Sequence, residues 1–357
     1  MERTQYRILG ACIRRPRNRI LPFVSGNGTC HQGFLRGSPG GGPATQEQGI
    51  DWISRFIRNC RVQNVSLDFI SHHIYTGFRR EFSGEFASMQ LAGTRESLQK
   101  FARIRNLAKD SQDGPIPLHI TEWNTSYSCI DPIHDSNLNA ACIAYLLAHA
   151  DAYADSWAYW VFSDVFEEAD VPRALFHGGF GLLTENGIRK PVFHAFAFAG
   201  RLYENIVHLD EVSCVTMDES GNAAALLFNP SLGNKPEERA GMQALSIEIS
   251  IPCAYEEVFV SIRKVDAVRG NAFAAWKKMG RPRWPERDRM EILQSAQHPE
   301  IENRKIKCES GHARITTELP VNGIQLVLMR KVRREENDYH GLVDLIRRQK
   351  EYGLSEE

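Results

Sequence analysis

The sequence predicts an α/β unit built from parallel βα repeats, followed by an antiparallel β domain. Three observations predict it. Between Thr45 and Glu204, segments with helical apolar spacing alternate with short β-rich runs. Polar and ionisable residues collect just after those runs, where sheets of parallel strands keep their chemistry. Beyond about residue 205 the long helical patterns stop, and short β-rich segments follow one another across turn-forming stretches, the pattern of an antiparallel sandwich.

The elements follow in order. Ile50, Ile53, Phe56 and Ile57 recur at helical spacing, with Thr45 as the expected N-cap. Val65 to Ile70 is β-rich and runs into the polar and aromatic Ser71-His72-His73-Ile74-Tyr75. Leu98, Phe101, Ile104, Leu107 and Ala108 form one apolar face of a helix over 94–109. Pro117 to Thr121 reads as a strand that presents Glu122-Trp123-Asn124 at its C-terminal end. An Ala-rich helix follows over Asn137 to Ala154, then a strand over Ser156 to Phe162, then a helix over 191–204 opened by Pro191. In the second regime, strands are predicted at Ala223–Phe228, Leu245–Ile251, Val258–Val265, His312–Leu319 and Ile324–Met329.

The ends of the chain read differently. Residues 1–40 are rich in Arg, Gly and Pro and sustain no period, so they are expected to be irregular. Residues 334–357 are strongly charged, with a helix expected at 339–351.

Composition excludes several function classes. A net charge of -1 over 357 residues gives no reason to expect nucleic acid or an anionic membrane surface as a partner. No apolar run is long enough to span a bilayer, and the basic N-terminus lacks the apolar core of a secretory signal. The eight cysteines are scattered, none in Cys-x-x-Cys, which indicates neither zinc nor a disulfide framework and fits a reducing cytoplasm.

One constellation is far more specific. It runs His119-Ile120-Thr121-Glu122-Trp123-Asn124-Thr125-Ser126-Tyr127, then Pro132-Ile133-His134-Asp135 and Asn139-Ala140-Ala141. Tyr159-Trp160-Val161-Phe162-Ser163-Asp164 leads to Glu167-Glu168, and Phe176-His177-Gly178-Gly179-Phe180-Gly181-Leu182 to Arg189-Lys190-Pro191. These ordered motifs resemble the second half of the catalytic barrel of glycoside hydrolase family 39, closer to its β-xylosidases than to its α-L-iduronidases. The likeness extends upstream through Gly41-Gly42-Pro43-Ala44 and Phe69 to Tyr75, and downstream to Asn271–Trp276, Gly280 and Pro282, covering about 41–335. It implies a partial (β/α)8 TIM barrel (second half) over 41–205, followed by a β-sandwich over 206–333.

The chemistry can also be argued from the residues. A retaining glycosidase needs a carboxylate nucleophile at a rigid position, and the end of a barrel strand provides one. Glu122 has that placement; a lone Glu after a strand would more often be a solvated loop residue. Asn124 and Tyr127 are near enough in sequence to hydrogen-bond around it, and both are expected among the substrate-binding residues. Trp160 could give a flat face for a pyranose ring, although its spacing fits a core aromatic nearly as well. His73 and Tyr75 alternate in phase and share a strand face, with His72 pointing away. A His-His metal reading lacks a third ligand at zinc-like spacing. The Gly178–Gly181 run lacks the Lys and Ser/Thr of a phosphate loop and reads as a tight turn. The resemblance places Glu167, Glu168 and His73 on sugar hydroxyls and Tyr75 beside the nucleophile; by itself an acidic pair after a strand is also an ordinary surface loop. His134 and His177 match motif positions without a defined role.

The retaining mechanism needs a second carboxyl about 5–5.5 Å from the first, as acid and then base. In the family it is the Glu of an Asn-Glu-Pro sequence, which this chain lacks. A (β/α)8 barrel takes about 250 residues, and only about 165 here look barrel-like. The expectation is therefore hydrolysis of terminal β-xylosyl residues from xylo-oligosaccharides, without metal or cofactor, qualified by the missing acid/base. The alternative is a non-catalytic carbohydrate-binding homologue or an inactive fragment. The sandwich and C-terminal helix offer surfaces on which copies of the chain could associate.

Overall fold

The computed structural model describes residues 5–8, 13–14, 40–46, 49–109, 114–165, 168, 170–231, 242–332 and 347. Two short strands open it, β1 (Gln5–Ile8) and β2 (Ile13–Arg14), inside the stretch expected to be irregular. They join sheets of the C-terminal half, β1 beside residues 246–249 and β2 beside 205–206, so long-range pairing supplies an order that the local sequence does not signal. The charged helix expected at 339–351 falls outside the described residues, except for residue 347.

The α/β half proceeds through β3 (Gly41–Thr45), α1 (Ile50–Val62), β4 (Phe69–Tyr75), β5 (Gly77–Ser83), β6 (Phe86–Leu91), α2 (Thr94–Lys109), β7 (Leu118–Asn124), α3 (Asn137–His149), β8 (Ser156–Tyr159) and α4 (Pro191–Ala199). The order β3-β4-β7-β8 forms one parallel sheet, as the alternation of strands and helices predicts. Thr45 is not the cap of α1. It ends β3, and α1 starts after Gly49, with the Thr45 hydroxyl donating to the Gly49 carbonyl at 3.2 Å. The β4 strand lies later than expected, at Phe69–Tyr75, because its buried face is carried by Ile70, His72 and Ile74. The hairpin β5–β6 has no counterpart in the sequence reading. It turns at Gly84 (φ 61°) and docks on the segment after β7, with the Ala87 amide on the Ile130 carbonyl and the Met89 amide on Asp131.

The second half contains β9 (Asn205–Leu209), β10 (Ser213–Met217), β11 (Ala223–Phe228), β12 (Leu245–Pro252), β13 (Glu257–Val265), α5 (Ala272–Lys278), α6 (Arg287–Ala296), β14 (Glu300–Lys307), β15 (His312–Leu319) and β16 (Ile324–Lys331). Seven strands pair in the order β14-β13-β16-β11-β10-β9-β2, and three in the order β1-β12-β15. All pairs are antiparallel except β1 with β12. The two sheets enclose a core in which Ile247, Ile249 and Ile251 of β12 meet Val258, Val260 and Ile262 of β13.

The central strand β11 is apolar throughout, and β16 is apolar over Leu326–Met329, because both their faces are covered there. Ala225, Leu227, Val327 and Met329 face the inter-sheet core, while Ala224, Leu226, Phe228, Leu326 and Leu328 join a cluster with α3 and α4. That cluster continues into Ile70, Ile74, Leu118, Ile120 and Trp123 of the parallel sheet. One hydrophobic core thus spans both halves and holds the sheet that carries the site.

Candidate active site

The site is built by a change of register. In β7, Ile120 lies opposite His72 of β4, but Glu122 lies opposite His73, so Thr121 is passed over. A strand without this irregularity would put Glu122 on the same face as Ile120, toward the helices. The slip returns Trp123 to the core beside Ile74 and sends Glu122 to the face that His73 and Tyr75 occupy.

The three side chains meet there. The Tyr75 hydroxyl donates to Glu122 Oε2 at 2.9 Å, and His73 Nδ1 lies 3.2 Å from the same oxygen. Glu122 keeps 22% of its side-chain exposure, so it is screened from bulk water yet open to a ligand. Burial pushes its carboxyl up, but the hydrogen bond and charge of His73 and the Tyr75 hydroxyl prevail and hold it below the usual carboxylate range. Tyr75 is pushed the other way, by burial and by the adjacent Glu122 charge, and remains a neutral donor. His72 turns away into the protein, fully buried, with Nδ1 3.2 Å from the Thr45 hydroxyl; burial and His73 bring it down to about 4. The two histidines therefore do not form a pair of metal ligands.

The remaining predicted residues divide into wall, support and rim. Asn124 is fully buried and its side chain is already engaged: Nδ2 donates to the Trp160 carbonyl at 2.6 Å, and Oδ1 accepts from the Thr125 amide at 2.7 Å. Engaged in this way, the Asn124 amide holds the Trp160 backbone against the strand of Glu122. Trp160 is half-buried, and its amide bonds the Trp123 carbonyl at 3.1 Å, which ties it to the strand of Glu122. Tyr127 meets Tyr75 edge to face at 6.4 Å and so supports the donor to Glu122 indirectly. Glu168 is exposed, and burial together with the Glu122 charge raises its carboxyl, while Arg80 opposes the shift. Glu167 lies outside the described residues.

Arg80 escaped the sequence reading because the hairpin that carries it was not recognised. Its guanidinium sits 4.9 Å over the Tyr127 ring, at the rim of the site.

Beneath the site lies a buried ionic cluster built from quoted motif residues to which the sequence assigns no role. Lys190, wholly buried, reaches Asp135 and Asp164 at 2.7 Å each and the Gly179 carbonyl at 2.8 Å. Burial opposes its charge, but the two carboxylates prevail and push its amine above the ordinary value. Asp135 accepts the Gly178 amide and Asp164 the Gly181 amide, each at 2.8 Å, which fixes the glycine turn. Gly178 has φ +81° and packs so closely on the Asp131 backbone that a Cβ would fall 2.5 Å from it. His134 sits between the Gly178 carbonyl at 2.8 Å and the Ser126 carbonyl at 3.1 Å. Burial pushes its imidazole down, and a neutral ring donates to one of them, the nearer Gly178. His134 is thus a structural clasp, and His177, 3.2 Å from the Ala174 carbonyl, lies within the same loop.

The chain is similar to known proteins over most of its length. The family model described as glycosyl hydrolases family 39 matches residues 38–314. A β-xylosidase of Geobacillus stearothermophilus is 39% identical over 307 residues, which is 85% of this chain and 60% of that protein. A β-xylosidase of Caldicellulosiruptor saccharolyticus is 30% identical over 275 residues, 74% of this chain and 54% of that one. In fold, the chain is similar to the crystal structure of a monomeric β-xylosidase from Caulobacter crescentus CB15, with a TM-score of 0.73, 24% identity, and coverage of 82% of this chain and 61% of that one. The chain thus spans less than two thirds of the length of these relatives. With the match running from β3 into β15, through both sheet systems and the Glu122 site, this chain belongs to glycosyl hydrolase family 39.

Proposed function

We propose that this chain carries the nucleophile side of a retaining β-xylosidase site. The observation that supports it is the Glu122 carboxylate, held by Tyr75 and His73 on the C-terminal ends of two adjacent parallel strands. The four-stranded parallel sheet is read as the second half of a (β/α)8 barrel, and the C-terminal sheets as a β-sandwich packed against it. Residues 41–205 and 206–333 are the corresponding units.

In this reading Glu122 attacks the anomeric carbon of a terminal xylosyl unit. Its lowered pKa keeps it ionised at neutral pH, and the leaving oxygen departs with the aglycone. His73, Glu167 and Glu168 bind sugar hydroxyls, and Trp160 supplies a flat wall. Tyr75 orients the carboxylate, and Tyr127 and Asn124 act through Tyr75 and Trp160. In the family the acid/base that protonates the leaving oxygen is the Glu of an Asn-Glu-Pro sequence, and no Asn-Glu-Pro occurs in this sequence. A natural xylo-oligosaccharide, with an alkoxide leaving group, therefore reacts poorly with this chain alone. An aryl xyloside does not need that proton.

The test is release of p-nitrophenol from p-nitrophenyl β-xyloside by the purified chain and by Glu122→Ala. Release that disappears with Glu122 supports the proposal. Equal release from both proteins contradicts it. If neither releases nitrophenol but xylobiose still produces heat in calorimetry, the chain is a sugar-binding homologue.

A further inference from the structure

Cys253 and Cys308 are separated by a long stretch of chain and show no spacing that would link them in sequence. The fold brings them together. Cys253 follows β12 where the chain crosses to β13, and Cys308 follows β14 where it crosses to β15. Since β12 pairs with β15 in one sheet and β13 with β14 in the other, the two crossovers run side by side between the sheets. They are hydrogen-bonded to each other at both ends. The Cys253 amide donates to the Gly311 carbonyl, and the Cys308 amide to the Glu256 carbonyl, each at 2.8 Å.

Both side chains pack into the inter-sheet core, and their thiols are within hydrogen-bonding reach. Cys253 is also held in place locally, with Sγ 3.4 Å from the Tyr255 amide. Cys253 is buried, whereas Cys308 is partly exposed, so a small reagent reaches the pair from one side. Crossovers tied to each other at both ends, with their thiols within hydrogen-bonding reach, bring the two sulfurs together where a disulfide can close.

We propose that Cys253 and Cys308 form a dithiol site, oxidised to an intramolecular disulfide by a low-molecular-weight disulfide such as oxidised glutathione. The Cys308 thiolate attacks one sulfur of the reagent, breaks its S–S bond and releases one glutathione thiolate. Cys253 then attacks the Cys308 sulfur of the mixed disulfide and expels the second glutathione, which takes up the Cys253 proton. Two protein thiols lose two electrons in all, and the reagent's disulfide gains them. The product staples the two sheets at one end and closes a loop of roughly 55 residues, a constraint on the unfolded chain. The first step is slow at neutral pH, because burial and the facing Cys253 thiol push the Cys308 thiol up to about 12. Its rate therefore rises about tenfold per pH unit between pH 7 and 10.

The experiment incubates the full chain with oxidised glutathione at pH 7 and pH 9, followed by non-reducing digestion and mass spectrometry. The proposal expects a peptide pair joining Cys253 to Cys308, formed faster at pH 9. It expects a thermal midpoint raised by about 5–10 °C and reversed by dithiothreitol. Cys253→Ser should stop at a stable mixed disulfide on Cys308, and Cys308→Ser should show neither product at Cys253. A mixed disulfide that persists in the unmutated chain, preferential pairing of other cysteines, or no reaction at pH 9 would overturn the assignment. The result is independent of glycosidase activity, so it stands or falls separately from the function proposed above.

Discussion

At the residue scale, the account rests on how Glu122 is charged and aimed. Two donors on one oxygen keep the carboxylate ionised against the cost of burial. Removing one donor removes part of that bias. For Tyr75→Phe the carboxyl pKa rises toward its ordinary value, so the acid limb of the pH–rate profile for an aryl xyloside moves to higher pH. The lost charge-assisted hydrogen bond is worth about 1.5–3 kcal/mol, a rate loss of about ten- to a hundredfold where that bond is retained in the transition state. An unmoved acid limb would mean that Tyr75 packs beside Glu122 without setting its ionisation. The residues were largely legible in the sequence, because a motif keeps its order whatever the fold does. The exceptions are instructive. Asn124 was read among the substrate contacts, and its hold on the Trp160 carbonyl was not legible because only the folded chain brings that group near. Arg80 was invisible because its position depends on a hairpin docking across the site.

At the element scale, the loop after β8 is held by buried charge. Lys190 compensates Asp135 and Asp164, and those carboxylates hold the amides of the glycine turn. Lys190→Met would leave two carboxylates buried without a partner, a loss of about 3–5 kcal/mol that urea titration would read as a lower midpoint. The exposed pair Arg287–Glu291 on α6 is the control, because Arg287→Ala costs less than about 1 kcal/mol. Equal effects at the two sites would show that the buried cluster carries no special weight. Elements with strong periodicity appear where the sequence puts them: α2 over 94–109 and β11 over 223–228 agree to the residue. Strand ends were less legible. The register slip at Thr121 depends on pairing with β4, and no pattern within β7 alone reports it.

At the scale of the whole molecule, the two halves share one core. Phe228 and Leu326 of the antiparallel sheet pack in the same cluster as Ile143 of α3 and Trp123 beside Glu122. Heating should therefore produce a single calorimetric transition, and Phe228→Ala should lower it as a whole, by about 3–5 kcal/mol in stability. Two transitions, with only one shifted by the substitution, would show independent units. The class of each half was legible from alternation and strand length, but their union was not. The uninterrupted apolar run of β11 is the local sign that both its faces are covered, without revealing by what.

The most direct test of the central claim traps the nucleophile. Incubation with an activated 2-deoxy-2-fluoro-β-xyloside, which forms a glycosyl-enzyme faster than it is hydrolysed, should add one pentosyl group to the chain. Peptide mapping should place that group on Glu122, and Glu122→Gln should remain unlabelled. Labelling of a different carboxylate, or p-nitrophenyl xyloside turnover with no covalent adduct at all, would contradict the assignment of Glu122 as the residue that attacks the sugar.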